Sequence, residues 1–143
     1  MPGIPGEVCA GCVPGCLQPS EAWTNVVDAH LSQIAAIPAA FGPAVPSAGI
    51  TGALVVGDPV LGDAPFANAA AMDGAVVLLQ RGKVGFADKA RRAQAAGAVA
   101  VIVGQTADVW PYTMTDSKTN GEGVDIPVIM LRKEHAARYV GHR

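Results

Sequence analysis

Arg81, Gly82, Lys83, Val84, Gly85 and Phe86 form a cationic, glycine-punctuated loop, and Asp88 and Lys89 follow it closely. Two cationic side chains beside two glycines suit the capture of carboxylates or backbone carbonyls. Charge-assisted hydrogen bonds are the strong ones, and glycine lets a partner's backbone come close. An apolar run at residues 75–79 leads into the loop, and a second at 98–103 leaves the segment behind it. The order is strand, loop, short amphipathic helix, glycine stop, strand. It sets the loop at a helix N-terminus, where unpaired N–H groups and the helix dipole favour acceptors. The expected chemistry is recognition of a peptide or protein partner, with no bond made or broken. The other reading is a tight connection whose glycines permit the turn while Arg81 and Lys83 are merely solvated. Phe86 reads as a core anchor in either case.

Other chemistry-bearing residues are sparse. Cys9, Cys12 and Cys16 have C-x2-C-x3-C spacing and are the chain's three cysteines. Tetrahedral zinc would need a fourth ligand, for which His30 is a candidate, and an oxidising compartment would pair two and leave one thiol. A tail without a site is the simpler reading, so no metal and no cofactor are expected. His30 falls on an apolar stripe, and His135 and His142 stand near the end without a nameable partner. None of Ser20, Ser32, Ser47 and Ser117 sits in a Gly-x-Ser-x-Gly setting. Residues 82–85 lack the length and the Lys-Ser/Thr ending of a phosphate loop. The chain is therefore expected not to be an enzyme, with a small anion- or phosphate-binding enzyme as the remote alternative.

The elements that must position the loop follow from periodicity. Residues 1–19 alternate proline and glycine and read as an irregular tail. Ser20 opens an expected amphipathic helix over 20–37, in which Trp23, Val26, Val27, His30, Leu31 and Ile34 share a stripe. Beyond it, residues 53–56, 75–79, 98–103 and 126–131 read as strands and 66–72 as a helical turn. Residues 86–96 read as a helix with Asp88 in its first turn, able to pair with Arg92, and with Gly97 as a left-handed stop. Lys89, Arg91 and Arg92 form a solvated face, or Lys89 buttresses the loop through a carboxylate such as Asp73 or Asp88. The polar connection 106–125 is long enough to be functional or mobile. Residues 133–140 close the chain as a short helix.

Composition bounds the rest. The chain has 143 residues, 50% of them hydrophobic and only 5% aromatic, enough for one domain with a small-residue core. The first 80 residues hold six acids and no Lys or Arg; the remainder holds ten bases and six acids, for a net charge of −2. That near-neutral balance argues against nucleic acid as a partner. No secretory signal is visible, and proline and glycine interrupt the uncharged stretch 29–57, which argues against membrane insertion.

Val76 to Leu79, Arg81-Gly82, Phe86, Lys89, Ala93, the Ala96-Gly97-Ala98 triplet, residues 99–103 and Ile126-Pro127-Val128 together resemble the protease-associated (PA) domain family, over roughly residues 41–143. The resemblance implies a mixed, β-rich α/β fold, an open β-barrel or sandwich flanked by short helices. It implies a non-catalytic module that binds peptides or proteins, or a lid or spacer governing substrate access beside a linked protease or membrane ubiquitin ligase domain. It also implies a secretory or extracellular setting, for which the chain itself shows no address. Family loops commonly carry a cysteine where this chain has Val84, so packing and hydrogen bonds alone must hold the loop.

Overall fold

Three consecutive strands are apolar along almost their whole length, which is the mark of parallel strands covered on both faces. In the computed structural model, which describes the backbone of Glu7–Ala10 and Thr24–Asp28 and then residues 33–140, these are β5 (Val76–Gln80), β6 (Ala100–Gly104) and β7 (Val128–Leu131). They run parallel with one another and with β4 (Ile50–Val56), in the order β4-β5-β6-β7. Residues on β5 to β7 are buried almost throughout.

Alternation divides them between two clusters. Val77, Leu79, Val101, Val103, Val128 and Met130 pack under α1 (Phe86–Ala95) and the connection after β6. Val76, Leu78, Ala100, Ile102, Ile129 and Leu131 face inward, toward Ile34 and Ala36 of β3 (Gln33–Pro38). Burying each Leu or Ile contributes about 1.5–3 kcal/mol, so these two layers carry most of the fold's stability.

The antiparallel remainder is β1 (Glu7–Ala10), β2 (Thr24–Asp28) and β3. β3 pairs with β7, β2 with β3 and β1 with β2, and β1 also pairs with β4, closing seven strands into a barrel. The expected α/β, β-rich fold is present. The expected helix over 20–37 is not: residues 24–28 and 33–38 are strands of the barrel. A three- and four-residue stripe arose because apolar residues are dense there. The burial is strand-like instead, with Ile34 and Ala36 buried and Ala35 exposed between them, and pairing on both sides of β3 overrides alanine's helical preference. The irregular reading of 1–19 is likewise corrected at Glu7–Ala10. Gly6 and Gly11 bracket these four residues, and the ladders to β2 and β4 include no glycine or proline of β1. Cys12, Cys16, His30 and His142 lie outside the described residues, as does the side chain of Cys9.

The two helices end and begin as their sequences dictate. Behind α1, Ala98 N–H donates to Ala93 O (3.1 Å) and Gly97 N–H to Gln94 O (2.9 Å), a paired C-terminal closure that needs Gly97 at φ +98°. A short 3₁₀ turn, Ala69–Ala71, lies within the expected helical turn, and α2 (Lys133–Val140) spans the expected last helix. α2 packs so tightly on β6 that a Cβ on Gly104 would stand 2.6 Å from Ala136 Cβ.

Candidate functional site

The carboxyl ends of parallel strands are where α/β folds gather their binding loops. Here β5, β6 and β7 end in register, with Gln80 beside Gly104 and Gly104 beside Leu131. One step further, Arg81 N–H donates to Gly104 O (3.0 Å) and Gln105 N–H to Leu131 O (2.9 Å). Arg81, Gln105 and Arg132 therefore form a row across three strand ends, continuing the face that carries Leu79, Val103 and Met130. Both helices also start at this end, so their positive poles face the same way.

The loop after β5 is a three-residue turn. Val84 N–H donates back to Gly82 O (2.8 Å), with Gly82 at φ +130° and Lys83 at φ +70°. A lysine in that conformation is costly, on the order of 1–3 kcal/mol, unless its surroundings impose it. Lys89 supplies the constraint. It is fully buried, and its Nζ donates to Gly82 O (2.7 Å) and to Leu61 O. Burial pushes the Lys89 ammonium below its ordinary pKa, and the nearby Asp63 carboxylate partly opposes this. Lys89 does buttress the loop, but through two backbone carbonyls rather than the expected carboxylate of Asp73 or Asp88. These bonds join the loop after β4 to the loop after β5, two residues before half-buried Val84. Gly85 then caps α1 in an extended conformation.

Arg81 is drawn inward. Its Nη1 donates to Gln105 Oε1 (3.0 Å) and its Nη2 lies 3.4 Å from Tyr112 Oη, while its Cζ stands 4.4 Å from the Tyr112 ring centre and 5.9 Å from that of Phe86. Phe86 is half-buried and tilted against Tyr112 at 6.1 Å. The alternative reading, in which Arg81 is merely solvated, fails, because the guanidinium fills a cradle of one amide and two rings. Lys83 by contrast is exposed.

The connection 106–125 is fastened at two places. At its start, Gln105 Nε2 donates to Val109 O (3.1 Å), Trp110 meets Arg132 (5.7 Å from Cζ to ring centre), and Tyr112 meets Arg81. At its far end, Arg91 Nε donates to Glu122 O (2.7 Å) and its guanidinium reaches Thr119 and Asp116. Gln94 meanwhile donates to Gly123 O (2.9 Å) and accepts from Asp125 N–H (2.7 Å). Asp116 accepts from the Thr119 hydroxyl and from the amides of Gly121, Thr119 and Lys118; these hold its carboxyl well below the usual range, with the hydroxyl contributing most. Arg91 is thus a fastening rather than part of a solvated face. Asp88 pairs with Arg91 (3.0 Å) instead of the expected Arg92, which is exposed.

The structure thus gathers Arg81, Gly82, Lys83, Val84, Gly85, Phe86 and Lys89 at one end of the sheet and leaves Asp88 on the outer side of α1. Sequence reasoning did not single out Gln105, Arg132 or Gln94, marked Trp110 and Tyr112 only as part of the candidate connection 106–125, and read Arg91 only as part of a solvated face. The available signals were a glutamine directly after an apolar strand and two of the chain's seven aromatics within three positions. Among the described residues, no group of three His, Cys, Asp or Glu could hold a metal, and no helix is long and apolar enough to cross a membrane.

Known proteins share this architecture. The chain is 34% identical over 90 residues to the ER degradation-enhancing alpha-mannosidase-like protein 3 of Xenopus laevis, a match covering 59% of this chain and 10% of that protein. It superposes on a zinc aminopeptidase from Bacillus subtilis with TM-score 0.65 and 26% identity, over 93% of this chain and 30% of that one. An aminopeptidase from Aneurinibacillus sp. strain AM-1 gives TM-score 0.63 at 23% identity, over 88% and 28%. The chain therefore spans about a tenth of the curated relative and under a third of these enzymes. The family model for the PA domain matches residues 40–139, from just after β3 into α2, and the chain belongs to the PA domain family.

Proposed function

We propose that this PA domain is a non-catalytic recognition module that presents Arg81, Gly82, Lys83, Val84, Gly85 and Phe86 to a peptide or protein partner. The observation that carries this reading is the exposed, positive-φ Lys83 held in place by fully buried Lys89. A strained turn with a dedicated internal brace is preorganised, and preorganisation lowers the ordering cost of binding. In this arrangement Arg81 and Phe86 set the floor of the site, Lys83 meets the ligand, and Lys89 positions the turn. A shallow rim of this kind binds in roughly the micromolar to millimolar range unless the partner is tethered.

A second reading, a lid or spacer beside a linked catalytic domain, is favoured by one observation: the chain spans only 28–30% of the aminopeptidases it resembles. A two-dimensional NMR titration of the labelled 143-residue chain with a mixed peptide library separates the two. Shifts concentrated at residues 82–86 support recognition. A well-dispersed spectrum that stays silent supports the lid or spacer.

A further inference from the structure

We infer that the binding surface extends from the Lys83 turn across the strand ends to residues 109–112 and Arg132, and that it takes an extended peptide with two acidic residues three positions apart. The inference rests on the recognition reading and names its ligand.

The row Arg81, Gln105, Arg132 is written by three separate strands, and residues 109–112 lay a ring against each arginine: Tyr112 by Arg81 and Trp110 by Arg132. What remains open to solvent is specific. Val109, 48% exposed, is the one exposed large hydrophobic side chain among the described residues. Pro111 two positions on, and Lys83, Arg132 and Lys133 on the neighbouring strand-end loops, are also exposed. The charge is unbalanced. Of the acids on these loops, Asp63 acts on Lys89 and Glu134 faces Arg132 at 3.9 Å, leaving exposed Lys83 and Lys133, with half-buried Arg81 behind them, against Asp108. The surface thus offers a small apolar step between two cationic shoulders, which complements acids flanking an apolar residue.

Spacing fixes the register. The two shoulders, Lys83 after β5 and Arg132 with Lys133 after β7, rise from strands two apart, about 10 Å at the usual spacing. In a polyproline II segment, residues i and i+3 lie on one face about 9 Å apart.

Fluorescence anisotropy with the labelled octapeptide Gly-Ser-Glu-Leu-Pro-Glu-Ser-Gly tests this. Saturable binding is expected, with the Glu-to-Gln peptide weaker by about fivefold. Arg132→Gln combined with Lys133→Gln should weaken the acidic peptide about three- to tenfold, and Val109→Ser about twofold. Arg92→Gln combined with Lys118→Gln, the same loss of two positive charges away from this surface, should leave it unaltered; thermal melts confirm that each variant is folded. Equal binding of the Glu and Gln peptides, or insensitivity to the Arg132 and Lys133 changes, overturns the inference. So does displacement of the peptide by inorganic phosphate or oligothymidine at lower concentration. If the two peptides bind equally and both shift residues 82–86 by NMR, the recognition reading survives while the acidic register falls.

Discussion

The two ends of the connection 106–125 are fastened by arginines to different effect. At the far end, Arg91 and Gln94 reach from α1 to backbone carbonyls and to Asp116, whose carboxylate already accepts four donors. That end consists of charge turned inward on itself. At the near end, Arg81 and Gln105 lock the backbone, yet Lys83, Val109, Pro111 and Lys133 stay exposed around the fastening. Similar residue types build a closed knot in one place and an open rim in the other. Capacity for a partner depends on what the internal bonds leave over, rather than on the number of charges.

The contrast can be broken in order of severity. Both ends hang on α1, so Gly97→Val should undo both. Its Cβ would lie 2.6 Å from Asp73 Oδ1 and 3.0 Å from Asp73 Cα at φ +98°, and the expected loss is about 2–5 kcal/mol by urea unfolding. An unchanged midpoint would refute the placement of the helix stop. Lys89→Met keeps the volume but leaves Leu61 O and Gly82 O without their donor. It should cost about 1–3 kcal/mol and speed amide exchange at residues 82–85 while sparing 118–121. Arg91→Ala should do the reverse. It should loosen 118–121 at a cost of about 1 kcal/mol and leave peptide binding unaltered, since the far end contributes nothing to the rim.

The smallest effect concerns pH. Burial of His135, with Arg138 and Arg132 adding to it against Glu134, pushes its pKa below 6.5, and its Nδ1 is buried without a partner. Just below pH 6.5 the unfolded chain therefore binds more protons than the folded one, so stability falls as pH drops through that window. His135→Gln should flatten this slope in melts at pH 7 and pH 5.5. A slope identical to the parent's would remove His135 from the account.

Much of this was legible in the residues. The parallel strands announced themselves as apolar runs, and Gly97 as a stop, because both signals are local. The antiparallel strands were not. Residues 24–38 fit a helical stripe and a strand pattern alike, and only pairing with β7 and β1 decides between them. The cationic loop was found from its glycines and charges, and Lys89 as its support; the carbonyl partners of that support and the inward turn of Arg81 were not. Arg81 is drawn in and Lys89 buried, because rings and carbonyls far along the chain receive them. No spacing rule links Gln80 to Gly104 and Leu131; register alone makes the Arg81, Gln105, Arg132 row.

Paramagnetic relaxation with a spin-labelled acidic octapeptide would test the central claim most directly. The account predicts broadening of the amides of residues 82–86, 109–112 and 132–133, with those of residues 116–125 untouched. Broadening centred on 116–125, or none at saturating peptide, would contradict it.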